Sequence, residues 1–93
     1  MEKKSQIEHF IINPIEILSL IEENFNVKFP RSILDFQYNI ATFVFGIRFY
    51  CFKTVVSDLL DNNGLIIVNR DKETNQIASI EILDLNVFFD IYS

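Results

Sequence analysis

Few side chains in this sequence can act as nucleophile, base or metal ligand. Cys51 is the only thiol and His9 the only imidazole. A thiol and an imidazole make a nucleophilic pair only within hydrogen-bond reach of each other, and here two distant segments would have to meet. Cys51 alternates with Phe43, Phe45 and Phe49 along an apolar run, which reads as a buried structural thiol. Structural zinc needs a full set of nitrogen and sulfur ligands, which these two residues do not supply, and His9 reads as an ordinary, partly exposed side chain. Glu81 and Asp84 would form an acid/base pair only if their surroundings drove their pKa values apart. Nothing in the sequence does so, and Glu81 is expected to face water or an arginine such as Arg48 or Arg70. Asp58 and Asp61, followed by Asn62, Asn63 and Gly64, loosely resemble a calcium loop. They lack its spaced oxygen ligands and closing glutamate, and turn chemistry accounts for the same residues. Gly46 and Gly64 are the only glycines, too few for a phosphate-cradling loop, and no serine sits in a nucleophile-elbow context. The chain therefore reads as a non-enzyme, with no catalytic residue, cofactor or metal.

The elements that carry these residues must come from one small core. A chain of 93 residues makes one domain, 1–93, and buries roughly 60–65% of the surface it exposes when unfolded. Its composition compensates for size: 49% of residues are hydrophobic, with ten Phe and three Tyr, and large aromatics bury much area each. A single cysteine excludes an internal disulfide and suggests a reducing, cytoplasmic setting. No apolar run reaches the ~18–20 residues that cross a bilayer, and the charged start, Met1 to Gln6, does not read as a signal peptide.

Residues 1–35 read as a leader with one helix. Ile7 to Ile12 suggests a first strand. Asn13 is a good N-cap, Pro14 suits the first helical position, and Glu16 follows three residues after the cap, so a helix is expected over about 14–24. Ile12 and Ile17 are placed for a hydrophobic staple, and Ile17, Leu18, Ile21 and Phe25 give the helix an apolar face. Phe25 to Phe29 suggests a turn or short edge strand, interrupted by Pro30.

Residues 36–93 read as the β-rich part. A short strand is expected over Leu34 to Tyr38, with Asn39 to Ala41 turning the chain. The strongest strand spans Thr42 to Phe52, and both of its faces are substantially apolar. It should therefore be covered on both sides, by the core and by either the helix or a second copy of the protein. Lys53 to Leu60 and Leu65 to Asn69 flank the turn formers Asp61 to Gly64. Ile77 to Leu83 is a further strand, and Leu85 to Tyr92 is either an edge strand or a short helix. The expected class is α+β: a small antiparallel β-sheet with one N-terminal helix packed on it.

Tyr38-Asn39, then Ile47-Arg48-Phe49, then the run Leu65 to Asn69, then Ser79-Ile80-Glu81-Ile82-Leu83-Asp84 follow one another in an order that resembles the domain of unknown function 2283 family over roughly residues 36–84. Ser79 stands where that pattern usually has Gly, and Asn39 and Asn69 where Asp is common. The resemblance implies a small β-sheet domain of the kind supposed to sit beside toxin-like partner proteins, and it carries over no catalytic residue.

Charge supplies the remaining functional signal. The formal net charge of −5 equals that of residues 57–93 alone, where Arg70 and Lys72 face Asp58, Asp61, Asp71, Glu73, Glu81, Asp84 and Asp90. Phosphate binding needs clustered Lys and Arg, so direct nucleic-acid binding is not expected. For the same reason Phe43, Phe45, Phe49, Tyr50 and Phe52 read as core rather than as a base-stacking platform. The expected function is a protein-binding module of antitoxin, immunity or inhibitor type. It would present those seven acidic residues to a basic protein partner, with charge supplying on-rate and specificity. A phage-borne inhibitor of a nucleic-acid-binding defence complex belongs to this class. The alternatives are a homo-oligomeric (for instance homodimeric) structural domain and a small-molecule binder.

Overall fold

The protein's structure, a computed structural model, describes residues 12–93. Of the strand expected over Ile7 to Ile12, all but Ile12 lies outside the described residues, as does His9. Helix α1 spans Pro14–Asn24, as the capping signals predict. The Asn13 side chain accepts hydrogen bonds from the N–H groups of Ile15 at 3.0 Å and Glu16 at 3.4 Å, and Pro14 has no N–H to leave unpaired. Ile17, Leu18 and Ile21 form its buried face, and Ile12 packs against the same core.

Five strands follow: β1 (Asp35–Tyr38), β2 (Phe45–Arg48), β3 (Val55–Leu59), β4 (Ile66–Asp71) and β5 (Ile77–Ile82). They form one antiparallel sheet in the order β1-β2-β5-β4-β3. The last strand thus inserts between a hairpin, β1–β2, and the meander that precedes it. The tail is helical: α2 spans Leu85–Tyr92, and the Asp84 carboxylate caps it by accepting from the Val87 N–H at 3.1 Å. The α+β class holds, with a second helix beside the expected N-terminal one.

The register sorts side chains between the two faces, because paired residues share a face and neighbours alternate. One face carries the rows Phe36, Ile47, Ile80, Val68 and Tyr38, Phe45, Ile82, Ile66. Ile47, Ile80, Phe45, Ile82 and Ile66 are fully buried and belong to the same core as Ile17, Leu18 and Ile21 of α1 and Leu85 and Phe88 of α2. Both helices therefore cover the same face, and the other face of the sheet lies open.

The run Thr42 to Phe52 is a strand only at its centre. Asn39 starts a turn, accepting on its side chain from the N–H groups of Ala41 and Thr42, while its backbone carbonyl accepts from Phe43. Closing that turn puts Phe43 at φ 65°, a left-handed conformation that a strand cannot contain. After Arg48 the chain leaves the sheet to cross its end toward β3. Cys51 falls on that crossing and is exposed, so the expected buried thiol is corrected: the alternation with aromatics stops where the strand does.

Asp61 closes the opposite end. It accepts from the N–H groups of Leu65 at 2.9 Å and Ile66 at 3.0 Å, and from the Tyr92 hydroxyl at 2.8 Å. Gly64, at φ 70°, completes the turn. The residue is only 6% exposed. Burial raises its pKa, but the hydrogen bonds from Ile66, Tyr92 and Leu65 outweigh burial and hold the carboxyl below the usual aspartate range.

A group whose folded pKa is depressed adds stability above its unfolded pKa and loses it as pH falls through the folded value. Asp61→Ala should lower the unfolding free energy by about 1–3 kcal/mol at neutral pH, and the deficit should shrink in acid, as urea titrations at both pH values would show. Cys51 provides a second check. An aromatic disulfide reagent should modify it in the native protein within about tenfold of its rate in unfolded chain, since access controls thiol reaction; protection by orders of magnitude would place it inside.

Candidate functional site

The open face has a definite chemistry, row by row. One row crosses all five strands: Asp35, Arg48, Ser79, Asn69 and Ser57 are successive cross-strand partners. The next row is Gln37, Gly46, Glu81, Ile67 and Leu59. Over these rows lies a groove of about 980 Å³. Its floor includes Gly46, Arg48, Asn69, Ser79 and Glu81. The β1–β2 turn forms one wall with Asn39, Ile40 and Thr42, and Phe52 and Val55 form another.

The polar row is bonded along its length. Arg48 grips Asp35 through Nε at 2.9 Å and Nη2 at 2.5 Å. That hydrogen bond is the chief cause holding the Asp35 carboxyl below its usual range, and it raises Arg48 in return. Ser57 Oγ donates to Asn69 Oδ1 at 2.5 Å. Asn69 Nδ2 donates to Ser79 Oγ at 2.9 Å and, more weakly, to Glu81 Oε1 at 3.4 Å. Asn69 and Ser79 are 6% and 4% exposed, so these bonds satisfy groups that would otherwise be buried without partners.

Hydrophobic side chains border the polar floor. Leu59, at 62% exposed, continues the Glu81 row at the sheet edge, and Ile40, at 72%, stands on the turn wall. Leu83, also exposed, lies past the end of β5 in the bend before α2.

The seven acidic residues expected to form one surface are not brought together. Asp61 is buried and bonded to its own hairpin and to α2; as a partner contact it is corrected, because its carboxylate serves the fold. Asp84 is the half-buried cap of α2. Asp71 shapes the β4–β5 turn, accepting from Glu73 N–H at 2.8 Å and the Tyr50 hydroxyl at 3.0 Å. Its carboxyl is held below the usual range chiefly by that N–H. Glu73 is exposed on the same turn, and Asp90 is exposed on α2. Asp58 is exposed, but the register places it in the row of Val68 and Ile80, on the side of the sheet that the helices cover. Only Glu81 lies on the open face in the groove. It pairs with neither arginine that the sequence offered: Arg48 holds Asp35, and Arg70 donates to the Asn75 carbonyl at 3.4 Å.

Sequence reasoning missed Asn69, Ser79, Ser57 and Gln37 as groove residues. The polar residue at every second position of the two strands, Asn69 after Ile67 and Ser79 before Glu81, was the available signal for a face turned away from the core. Among the described residues no group of three His, Cys, Asp or Glu side chains is placed to hold a metal ion, and no helix is long and apolar enough to cross a membrane. No protein-family model, curated protein or solved structure matches this chain.

Asn69 is the hub of the floor, and its removal strands Ser57 and Ser79. Asn69→Ala should cost about 1–3 kcal/mol in urea unfolding, while Ser57→Ala, which removes one exposed end of the chain of bonds, should cost less. Equal costs would show that Asn69 is not the hub.

Proposed function

We propose that this protein is a non-enzymatic, protein-binding module of antitoxin, immunity or inhibitor type, and that it engages a basic protein partner through the open face of its sheet. The observation carrying this reading is that both helices cover one sheet face, leaving the other as a groove with a hydrogen-bonded polar floor and exposed Leu59 and Ile40 beside it. Apolar anchors next to a fixed polar surface are what protein recognition uses.

The bonding within the floor favours recognition over reaction. A serine becomes a nucleophile when its proton can pass to a base. Ser57 donates to an amide oxygen and Ser79 accepts from an amide nitrogen, and neither amide takes up a proton at ordinary pH. The net charge of −5 favours a basic partner through long-range attraction. The small β-sheet family that residues 36–84 resemble, with its toxin-like partners, belongs to the same reading. A homo-oligomer is the second reading, because exposed Leu59 in the open-face row and exposed Ile40 on the groove wall suit a self-interface as well.

The test is affinity capture from a lysate of the source cell, with salt-stepped washing, on wild type and two double variants. Ile40→Lys with Leu59→Lys alters the open face at exposed positions, and Glu23→Lys with Asp90→Lys alters the helix side. A stoichiometric basic protein should be retained by wild type and the helix-side variant, released as salt rises, and lost from the open-face variant. Retention by the open-face variant, or loss from the helix-side variant alone, would overturn the proposed surface. Capture of nothing but further copies of the chain would move the assignment to the homo-oligomer.

A further inference from the structure

The groove holds more than a generic surface, because its charges are unequally matched. Arg48 is neutralised by Asp35 through two hydrogen bonds. Glu81, exposed at the groove floor two residues away across the β2–β5 ladder, has no cationic partner among the described residues, and it accepts only a long hydrogen bond from the Asn69 amide. A carboxylate left unpaired on the floor of a groove is the group a ligand cation would complete.

The backbone leaves room for that cation. In the Glu81 row the neighbour on β2 is Gly46, and the next residue beyond it, on β1, is Gln37. Glu81 and Gln37 thus stand two strand spacings apart, roughly 9–10 Å, with no side chain between them. The gap is not imposed by backbone strain or crowding. Gly46 lies in an ordinary strand, and a Cβ built there would meet nothing closer than the Ile80 carbonyl oxygen at 3.6 Å. A side chain would fit, and its absence makes a slot. Phe52, partly buried, provides an aromatic wall to the same groove.

We propose that this slot over Gly46 receives one arginine side chain of the partner, with Glu81 as its counter-ion, Gln37 as a second acceptor and Phe52 as a stacking surface. A guanidinium is planar, carries donors on both edges and stacks on aromatic faces, which suits a slot with acceptors on opposite sides better than a compact ammonium does. The Arg48–Asp35 pair beside the slot carries no net charge, which leaves Glu81 as the unmatched charge on the floor. This inference rests on the open-face reading of function and names the partner chemistry that the face accepts.

The experiment is a titration of the protein with N-acetyl-arginine amide and, separately, with N-acetyl-citrulline amide, its neutral isostere, followed by two-dimensional amide NMR. The arginine compound should bind weakly and shift the Gly46 and Glu81 backbone amides and the Asn69 side-chain amide, and the citrulline compound should not. Glu81→Gln should weaken binding about tenfold or more, the loss expected for one charge-assisted pair. Gly46→Val keeps the carboxylate but fills the slot, and should weaken binding to a similar degree with the amide spectrum otherwise native. Equal shifts from both compounds, shifts centred on other acidic residues, undiminished binding by Glu81→Gln, or no shifts at the slot would each overturn the proposal. Partner capture that survives Glu81→Gln but not the Ile40/Leu59 variant would overturn the arginine slot and leave the open-face function standing. Absence of any salt-sensitive partner would count against that function itself.

Discussion

Everything in this fold depends on the insertion of β5 between β2 and β4. Five of its six residues are buried, and it supplies Ile80 and Ile82 to the centre of the core while Ser79 and Glu81 face the groove. Without it the β1–β2 hairpin and the β3–β4 hairpin would be separate two-stranded units, which are marginal at best in water. The β2–β5 pairings join segments more than thirty residues apart, as Phe45 with Ile82 shows. Their loop-closure cost is recovered only when the apolar rows and both helices come together.

The ends of the molecule are held by polar groups where the apolar rows run out. Asp61 joins the β3–β4 turn to Tyr92, and Tyr92 packs edge-on to Phe25 at 5.4 Å between ring centres. One carboxylate thereby links hairpin, C-terminal helix and N-terminal helix. At the other side, Glu22 of α1 accepts from the Phe29 N–H at 2.8 Å and pairs with Arg31, which ties the irregular 25–34 segment back to the helix and sets Phe29 against Phe49. Two acids that look like surface charge in the sequence are thus structural.

Covering one face with two helices has a functional consequence. In a five-stranded sheet with both helices on one side, the opposite side must either meet water or meet a partner. Here it does neither cleanly: a bonded polar row runs beside exposed Leu59. The polar row keeps that face from simply collapsing on itself, since closing over it would demand partners for Glu81 and the outer edge of Arg48. On that face Arg48 is paired with Asp35, whereas Glu81 has no cationic partner among the described residues.

Much of the local structure was legible in the sequence because it arises from near neighbours. Asn13-Pro14 with Glu16 started α1 at the right residue, Asp61 to Gly64 marked the hairpin, and alternation located the strands. Local signals also misled where tertiary demands won. The apolar run from Thr42 to Phe52 looks continuous, yet the turn at Asn39 to Val44 and the crossing toward β3 cut the strand to Phe45–Arg48 and turned Cys51 outward. The chain by itself determined composition, charge, capping and period, since these are properties of single residues and short spacings. Strand order, the shared face of the two helices, the burial of Asp61 and the meeting of Gly46 with Glu81 were decided only by the tertiary structure, because each is set by which distant segments pair, and pairing free energy belongs to the assembled sheet rather than to any segment of it.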